Sequence, residues 1–315
     1  MRLFVKKDKK TQKSGFRFLT LCILLICTGV FIGYKNIPGF LKANYILITE
    51  GRFIEALLED NNLDTITLDI PFKSFQKINK KRNEALKNDR LITNDDDFVK
   101  AKITKNQGST HQCKIRLKGD LPDHWSGDKF SLRVELKGDN LINGISRFSL
   151  QDPATRSDTE EWLFLQTLSK QKCMAVRYHF VNLIINGKKM GIYAMEEHFS
   201  KEFIEANERR EGVIVRFDDY YVWKKHRPFL ADNIEWDSVY RSSPPLVRNK
   251  NRIASNESLS RQSEHAVRLL RMMQNEEIHA SSIFDANKIG SFLAITHIWE
   301  AAHGLGIDDI NFFLK

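Results

Sequence analysis

The chain has 315 residues, enough for a membrane anchor plus one sizeable domain or two lobes. Its 42% hydrophobic content and 21 phenylalanines suit a packed core rather than a disordered chain. The net charge of +9 does not imply nucleic acid. Seven cations of residues 1–17 (Arg2, Lys6, Lys7, Lys9, Lys10, Lys13 and Arg17), set against Asp8 alone, hold +6 of it and leave about +3 for everything else.

Directly after that basic tail, residues 18–34 (FLTLCILLICTGVFIGY) carry no charge and sit at the short end of what spans a bilayer as a helix. The lysines before them predict an N-terminus inside and a C-terminal domain outside, so residues 18–34 are read as a single-pass signal anchor. A cleaved signal peptide is the rival reading, but no A-x-A-like site lies near Ile32 to Pro38. Cys22 and Cys27 fall within this segment as apolar fillers. Cys113 and Cys173 would lie outside, where disulfides persist; pairing and two buried free thiols both stay open. With no CxxC pair, a cysteine zinc site is unsupported.

Residues 35–64 read as a stalk or packing helix with Tyr45, Leu47, Ile48, Ile54, Leu57 and Leu58 on its apolar side. DTITLDI, residues 64–70, alternates like a strand, and the charged run after Pro71 is a solvated helix or coil. A β-rich region starts at Phe98. In HQCKIRLKG, Cys113, Ile115 and Leu117 point one way and Lys114, Arg116 and Lys118 the other. In KFSLRVELKG, Phe130, Leu132, Val134 and Leu136 oppose Ser131, Arg133 and Glu135. Joined through GDLPDHWSGD, these predict an antiparallel pair with an apolar side and a cationic side.

SDTEEWLFLQTLSKQ reads as a helix capped by Ser157 or Asp158, with Glu160 or Glu161 completing the capping box. Asn186-Gly187 predicts a tight hairpin between two arms apolar enough to be central in a sheet. Residues 220–258 lack a period and predict a long loop or lid. Helices follow around 258–275 and 286–303, the second N-capped by Asp285. GIDDINFFLK then feeds a new strand, inside which the chain stops; a truncated frame or a fragment is the reading.

None of GxSxG, HExxH, GxxxxGK[ST] or GxGxxG occurs, which removes the commonest hydrolase, zinc-protease and nucleotide-fold motifs. His179, His198, His297 and His303 lack metal-ligand spacing and read as ordinary surface or core histidines. The cations Lys114, Arg116, Lys118, Lys129 and Arg133 match phosphate oxygens, against a plain solvated sheet face as the alternative. Trp125 either stacks on a ligand or is tucked under its loop. Glu196 and Glu197 either orient a lysine or a metal, or simply favour the start of the next helix. Asp308, Asp309 and Asn311, two carboxylates and an amide between a helix and a strand, suit Mg²⁺ binding or orientation of a hydroxyl nucleophile.

Taken together, RLKGDLPDHW (116–125), KFSLRVELKG (129–138), GISRFSLQDPATR (144–156), the long block 177–212 and HGLGIDDINFF (303–313) resemble the CotH kinase-like family, named for a bacterial spore-coat protein kinase. The likeness covers residues 65–315, and 177–212 is its most specific part. It implies an α+β, atypical protein-kinase-like two-lobe fold: a β-rich N-lobe followed by a helical C-lobe, incomplete at the C-terminus and preceded by one transmembrane helix. It also implies ATP and Mg²⁺ as cofactors and transfer of phosphate to Ser or Thr hydroxyls of a protein. On that resemblance Arg116, Lys118, Lys129 and Arg133 are the phosphate ligands, with Lys129 foremost, and Glu196 the partner of that lysine or of the metal. Asp308, Asp309 and Asn311 match the family's catalytic-loop region approximately, with Asp309 and Asn311 as metal ligands. The alternative is a pseudokinase-like scaffold binding a cell-envelope protein or polymer. Either way the expected place is a bacterial cytoplasmic membrane, with the domain outside and no nucleic-acid partner.

Overall fold

The computed structural model describes residues 63–218, 236–306 and 309–314. The basic tail, the anchor at 18–34, nearly all of the stalk at 35–64, and Asp308 lie outside the described residues. Among the described residues no helix is long and apolar enough to cross a membrane. The fold class is mixed α+β, a closed sheet barrel accompanied by helices.

The barrel is built from β1 (Thr65–Asp69), β2 (Val99–Lys105), β3 (Thr110–Leu117), β4 (Leu132–Leu136), β5 (Arg147–Gln151), β6 (Tyr178–Ile185) and β7 (Lys188–Glu197). Its order is β1-β2-β3-β4-β5-β7-β6, and a parallel pairing of β1 with β6 closes it, leaving no edge unpaired. The alternation seen in the sequence decides which way each strand faces. Cys113, Ile115 and Leu117 lie opposite Leu136, Val134 and Leu132, all buried in one core with Phe148, Leu150, Val181, Leu183 and Met195. The Asn186-Gly187 hairpin forms as predicted, with both residues at positive φ (48° and 80°). Asn186 also ties the hairpin to the end of β1, accepting from Ile70 N (2.7 Å) and donating to Ile70 O (3.0 Å).

Helix α1 (Phe72–Asn88) lies on β2 and β3 and buries only Ile78 and Ala85; the rest of its charged surface stays in water or half-buried. Its Arg82 holds the β3–β4 connection, donating from Nε to Trp125 O (2.6 Å) and from Nη2 to Ser126 O (3.2 Å). Trp125 itself is fully buried, and its indole N–H donates to Gly119 O (3.1 Å). It is tucked under the loop and unavailable for stacking on a ligand. Gly119 has φ 90°, and a Cβ there would sit 2.2 Å from the buried His124 ring, so the turn requires glycine.

After β5, a 3₁₀ turn (Pro153–Arg156) leads into α2 (Glu160–Lys170). The predicted capping box does not form. Ser157 and Asp158 both adopt left-handed backbone (φ 51° and 59°), the N-cap is Thr159, and no side chain caps it. Asp152 caps the preceding turn instead, accepting from Ala154 N (3.3 Å). Helix α3 (Lys201–Ala206) is capped by Ser200, so neither Glu196 nor Glu197 starts it.

The segment predicted as a long loop is largely structured where it is described. It contains α4 (Trp236–Ser242), β9 (Pro245–Val247) and α5 (Lys250–Ala254). Periodicity missed these because each is too short to show a period. β9 is an edge strand beside β8 (Ile214–Phe217), which is where Pro245 can sit without breaking a ladder. α6 (Glu257–Gln274) packs Leu259, Ala266 and Leu270 against Val213, Val215 and Phe217. α7 (Ala286–Ile298), capped by Asp285 as predicted, ends at Trp299 rather than His303. β10 (Phe312–Phe313) is the strand expected after it and pairs with β8. The part after the barrel is therefore helical with a small three-stranded sheet, not purely helical. Cys113 is buried in the barrel and Cys173 half-buried elsewhere; both are free thiols, and burial pushes the Cys113 thiol up to about 12.

Candidate functional site

The outward residues of the barrel strands line up in rows. One row crosses five strands through consecutive cross-strand pairs: Arg116 (β3), Arg133 (β4), Ser149 (β5), Glu196 (β7) and Tyr178 (β6). An outward face normally meets water, yet Ser149, Tyr178 and the neighbouring Gln151 are buried. Part of the reason is the second layer: Leu165 and Leu168 of α2 and Ile295 of α7 form one apolar cluster with Tyr178 and Ala194 of this wall. The result is a polar row in a low-dielectric setting.

At its centre Lys118, just past β3, donates from Nζ to Glu196 Oε2 (2.6 Å) and to Gln151 Oε1 (2.7 Å). Burial depresses the Lys118 ammonium, with Glu196 opposing that shift and Arg133 adding to it. Burial also acts to raise Glu196, but Lys118, Arg133 and Arg156 outweigh it and hold the carboxyl below its ordinary value. Arg133 is pushed down to about 10 by burial against the pull of Glu196, and so stays charged at neutral pH. Glu161, in the first turn of α2, is pushed up to about 7 by burial, by Glu196 and by Asp309, against Arg156 and Lys118. Its Oε2 lies 3.5 Å from Arg156 Nε.

Several buried polar atoms here have no well-formed hydrogen bond: Arg116 Nε, Arg133 Nε and His198 Nδ1, together with the acceptor Glu161 Oε2, whereas the Tyr178 hydroxyl meets the Gln151 side chain. Native interiors rarely leave such atoms orphaned unless a ligand or water meets them. Donors predominate, which fits an anion carrying several oxygens, such as a phosphate chain.

The predicted residues distribute unevenly. Lys118, Arg133 and Glu196 come together. Arg116 stands at the end of the row, where its Nη1 donates to Thr93 Oγ1 (2.8 Å) and Leu117 O (2.9 Å). Lys129, expected as the foremost phosphate ligand and partner of Glu196, is elsewhere. Its Nζ contacts Asp152 Oδ1 and Ile192 O, both at 3.2 Å, and clamps the β3–β4 loop to the end of β5 and to β7. The reason is loop geometry: the chain turns through Gly119 and Trp125 between the two lysines, so only Lys118 stays on the ladder. Asp309 is exposed and close enough to raise Glu161. The Asn311 amide is engaged, accepting from Arg248 Nε (2.6 Å) and donating to Asp309 O (2.7 Å). Among the described residues no three His, Cys, Asp or Glu side chains gather closely enough to hold a metal ion. Sequence reasoning missed Gln151, Glu161 and Tyr178. Gln151 closes a strand whose face was not assigned, and Glu161 was taken for a helix cap.

A family model for the CotH kinase protein matches residues 115–294, more than half of the chain. The chain belongs to the CotH kinase protein family. No curated protein matches it. The CotH match takes in the whole polar row, with Gln151, Glu161 and Arg248, whereas Asp309 and Asn311 fall beyond it.

Glu161 yields a prediction with an unusual sign for a carboxylate. Its folded value lies above its ordinary one, so between about 4.5 and about 7 the folded chain binds the proton better than the unfolded chain. Its contribution is thus most favourable at low pH and turns unfavourable as pH rises through that window. Glu161→Gln is expected to raise the midpoint of thermal unfolding at pH 8 and to give no such gain at pH 5. Equal shifts at both pH values would refute the assignment.

Proposed function

We propose that this CotH-family chain is a membrane-anchored phosphotransferase that moves the terminal phosphoryl group of ATP, taken up with Mg²⁺, to a serine or threonine hydroxyl of a protein. In this reading the barrel is the nucleotide lobe of a kinase-like fold, the part after it is the second lobe, and residues 18–34 hold the domain on the outer side of a bacterial cytoplasmic membrane. The observation that carries the reading is the half-buried row of Lys118 and Arg133, with the buried Gln151, around Glu196, with more orphaned donors than acceptors. Phosphoryl transfer asks for positioning and charge neutralisation more than covalent chemistry, and this row offers both. ATP, when bound, supplies the transferable group. Lys118 and Arg133 bind phosphate oxygens, Gln151 donates a further hydrogen bond, and Glu196 fixes the Lys118 ammonium. Asp308 and Asp309 remain the candidates for orienting the acceptor hydroxyl.

ATP is scarce outside a cytoplasmic membrane, and the Asn311 amide is already committed to Arg248. Those two points favour the second reading, a non-catalytic scaffold for envelope assembly. The full chain with ATP separates them. A nucleotide-dependent thermal shift that needs Mg²⁺, together with labelling of a Ser/Thr-rich protein, is expected for the enzyme. Lys118→Ala should weaken nucleotide binding at least about tenfold, the worth of a desolvated charge-assisted contact. Lys129→Gln should leave that binding in place. No shift in the unmodified chain, or an equal shift in Lys118→Ala, would sink the phosphotransferase.

A further inference from the structure

One row along the same wall from Arg133, a second group of cations lies around a half-buried histidine. His198 N donates to Arg147 O (2.9 Å), which sets the two residues side by side just past the β5–β7 ladder. Burial, then Arg133, Arg248 and Arg147, push the His198 imidazole well below its ordinary value, so it is neutral, and its Nδ1 is buried without a hydrogen bond. Arg147 Nη1 donates to Asn249 Oδ1 (3.1 Å). The Arg248 guanidinium lies 4.7 Å from the Phe199 ring centroid, and its Nε donates to Asn311.

Two acids flank this group. Glu135, the cross-strand partner of Arg147, pairs with Lys114 at 2.8 Å, and Glu202 accepts from Ser200 Oγ at 2.5 Å while facing Arg147 electrostatically. Three guanidinium groups bear on one half-buried neutral ring. Gln151, which holds Lys118, lies four residues from Arg147 on β5, roughly 13 Å along the strand, so one phosphate group cannot reach both ends. Arg133 lies between, about 7 Å from the Arg147 row, the spacing of residues i and i+2 in an extended peptide.

We propose that Arg147, Arg248 and His198 form a second anion subsite, with Arg133 shared with the phosphate row, that binds an acidic side chain (Asp, Glu or phosphoserine) flanking the target hydroxyl of the protein substrate. This rests on the protein-phosphotransferase reading. It makes the substrate class an acidic protein segment.

The test measures fluorescence anisotropy of labelled serine octapeptides on the full chain, with Glu, phosphoserine, Gln or Lys at the flanking positions. Glu and phosphoserine peptides are expected to bind about tenfold more tightly than the Gln peptide, an advantage that falls with added salt. Arg147→Gln should abolish the preference, Arg147→Lys should retain part of it, and Lys102→Gln on β2 should keep it in full. Equal binding of the Glu and Gln peptides, or an unchanged preference in Arg147→Gln, overturns the subsite. ATP binding by the unmodified chain is followed in parallel. Its absence with acidic-peptide preference intact would fail the phosphotransferase reading, whereas intact ATP binding with no preference fails only the subsite.

Discussion

Arg177→Ala is expected to destabilise the folded chain by about 3–5 kcal/mol, the cost of leaving a buried charge without its partner. Glu197, whose side chain has 0% exposure, receives Arg177 through Nε (2.9 Å), Nη2 (2.5 Å) and the backbone N–H (3.1 Å). The same guanidinium donates to Asn143 O (3.3 Å) and Gly144 O (3.1 Å), so it ties the start of β6 to the β4–β5 connection. Gly144 has φ 73°, and a Cβ there would meet Arg177 Nη1 at 2.8 Å, so the clamp also demands its glycine. Urea unfolding monitored by tryptophan fluorescence measures the loss. Arg177→Met combined with Glu197→Leu should recover most of it, because no unpaired carboxylate is then left inside. A loss below about 1 kcal/mol for Arg177→Ala would place the pair among surface-like bridges and refute its role.

Trp125→Ala is the second large effect, about 3–5 kcal/mol for removing a fully buried aromatic side chain. The indole fills the space under the β3–β4 loop, and losing its N–H leaves Gly119 O without that donor. The expected outcome is a lower denaturation midpoint with ATP affinity per folded molecule preserved, because Trp125 lies under the loop rather than on the row. A variant with native stability and lost nucleotide binding would instead support the stacking role.

Much of the barrel was legible before any coordinates. Strict alternation in β3 and β4 assigned their inward and outward faces, and Asn186-Gly187 announced its turn, because both signals are local and leave few backbone alternatives. The elements between residues 236 and 254 were not legible, being too short to carry a period. The capping box before α2 failed for a different reason. Ser157 and Asp158 took left-handed backbone and the capping carboxylate had another task, with Glu161 turned toward Arg156 and Glu196.

The amino-acid sequence by itself determined most of the barrel strands, the cationic face and the family to which the chain belongs. Which cations act together was decided only by the tertiary structure. Lys118 and Lys129 are the same chemistry eleven residues apart, yet only Lys118 stays on the ladder and meets Glu196. Glu196 and Glu197 are adjacent and identical, but successive strand residues face opposite ways. One carboxylate joins the polar row beneath the helices, and the other is sealed against Arg177. Ion pairs between residues 78 and 20 positions apart depend on barrel closure and register, which no local pattern of residues encodes.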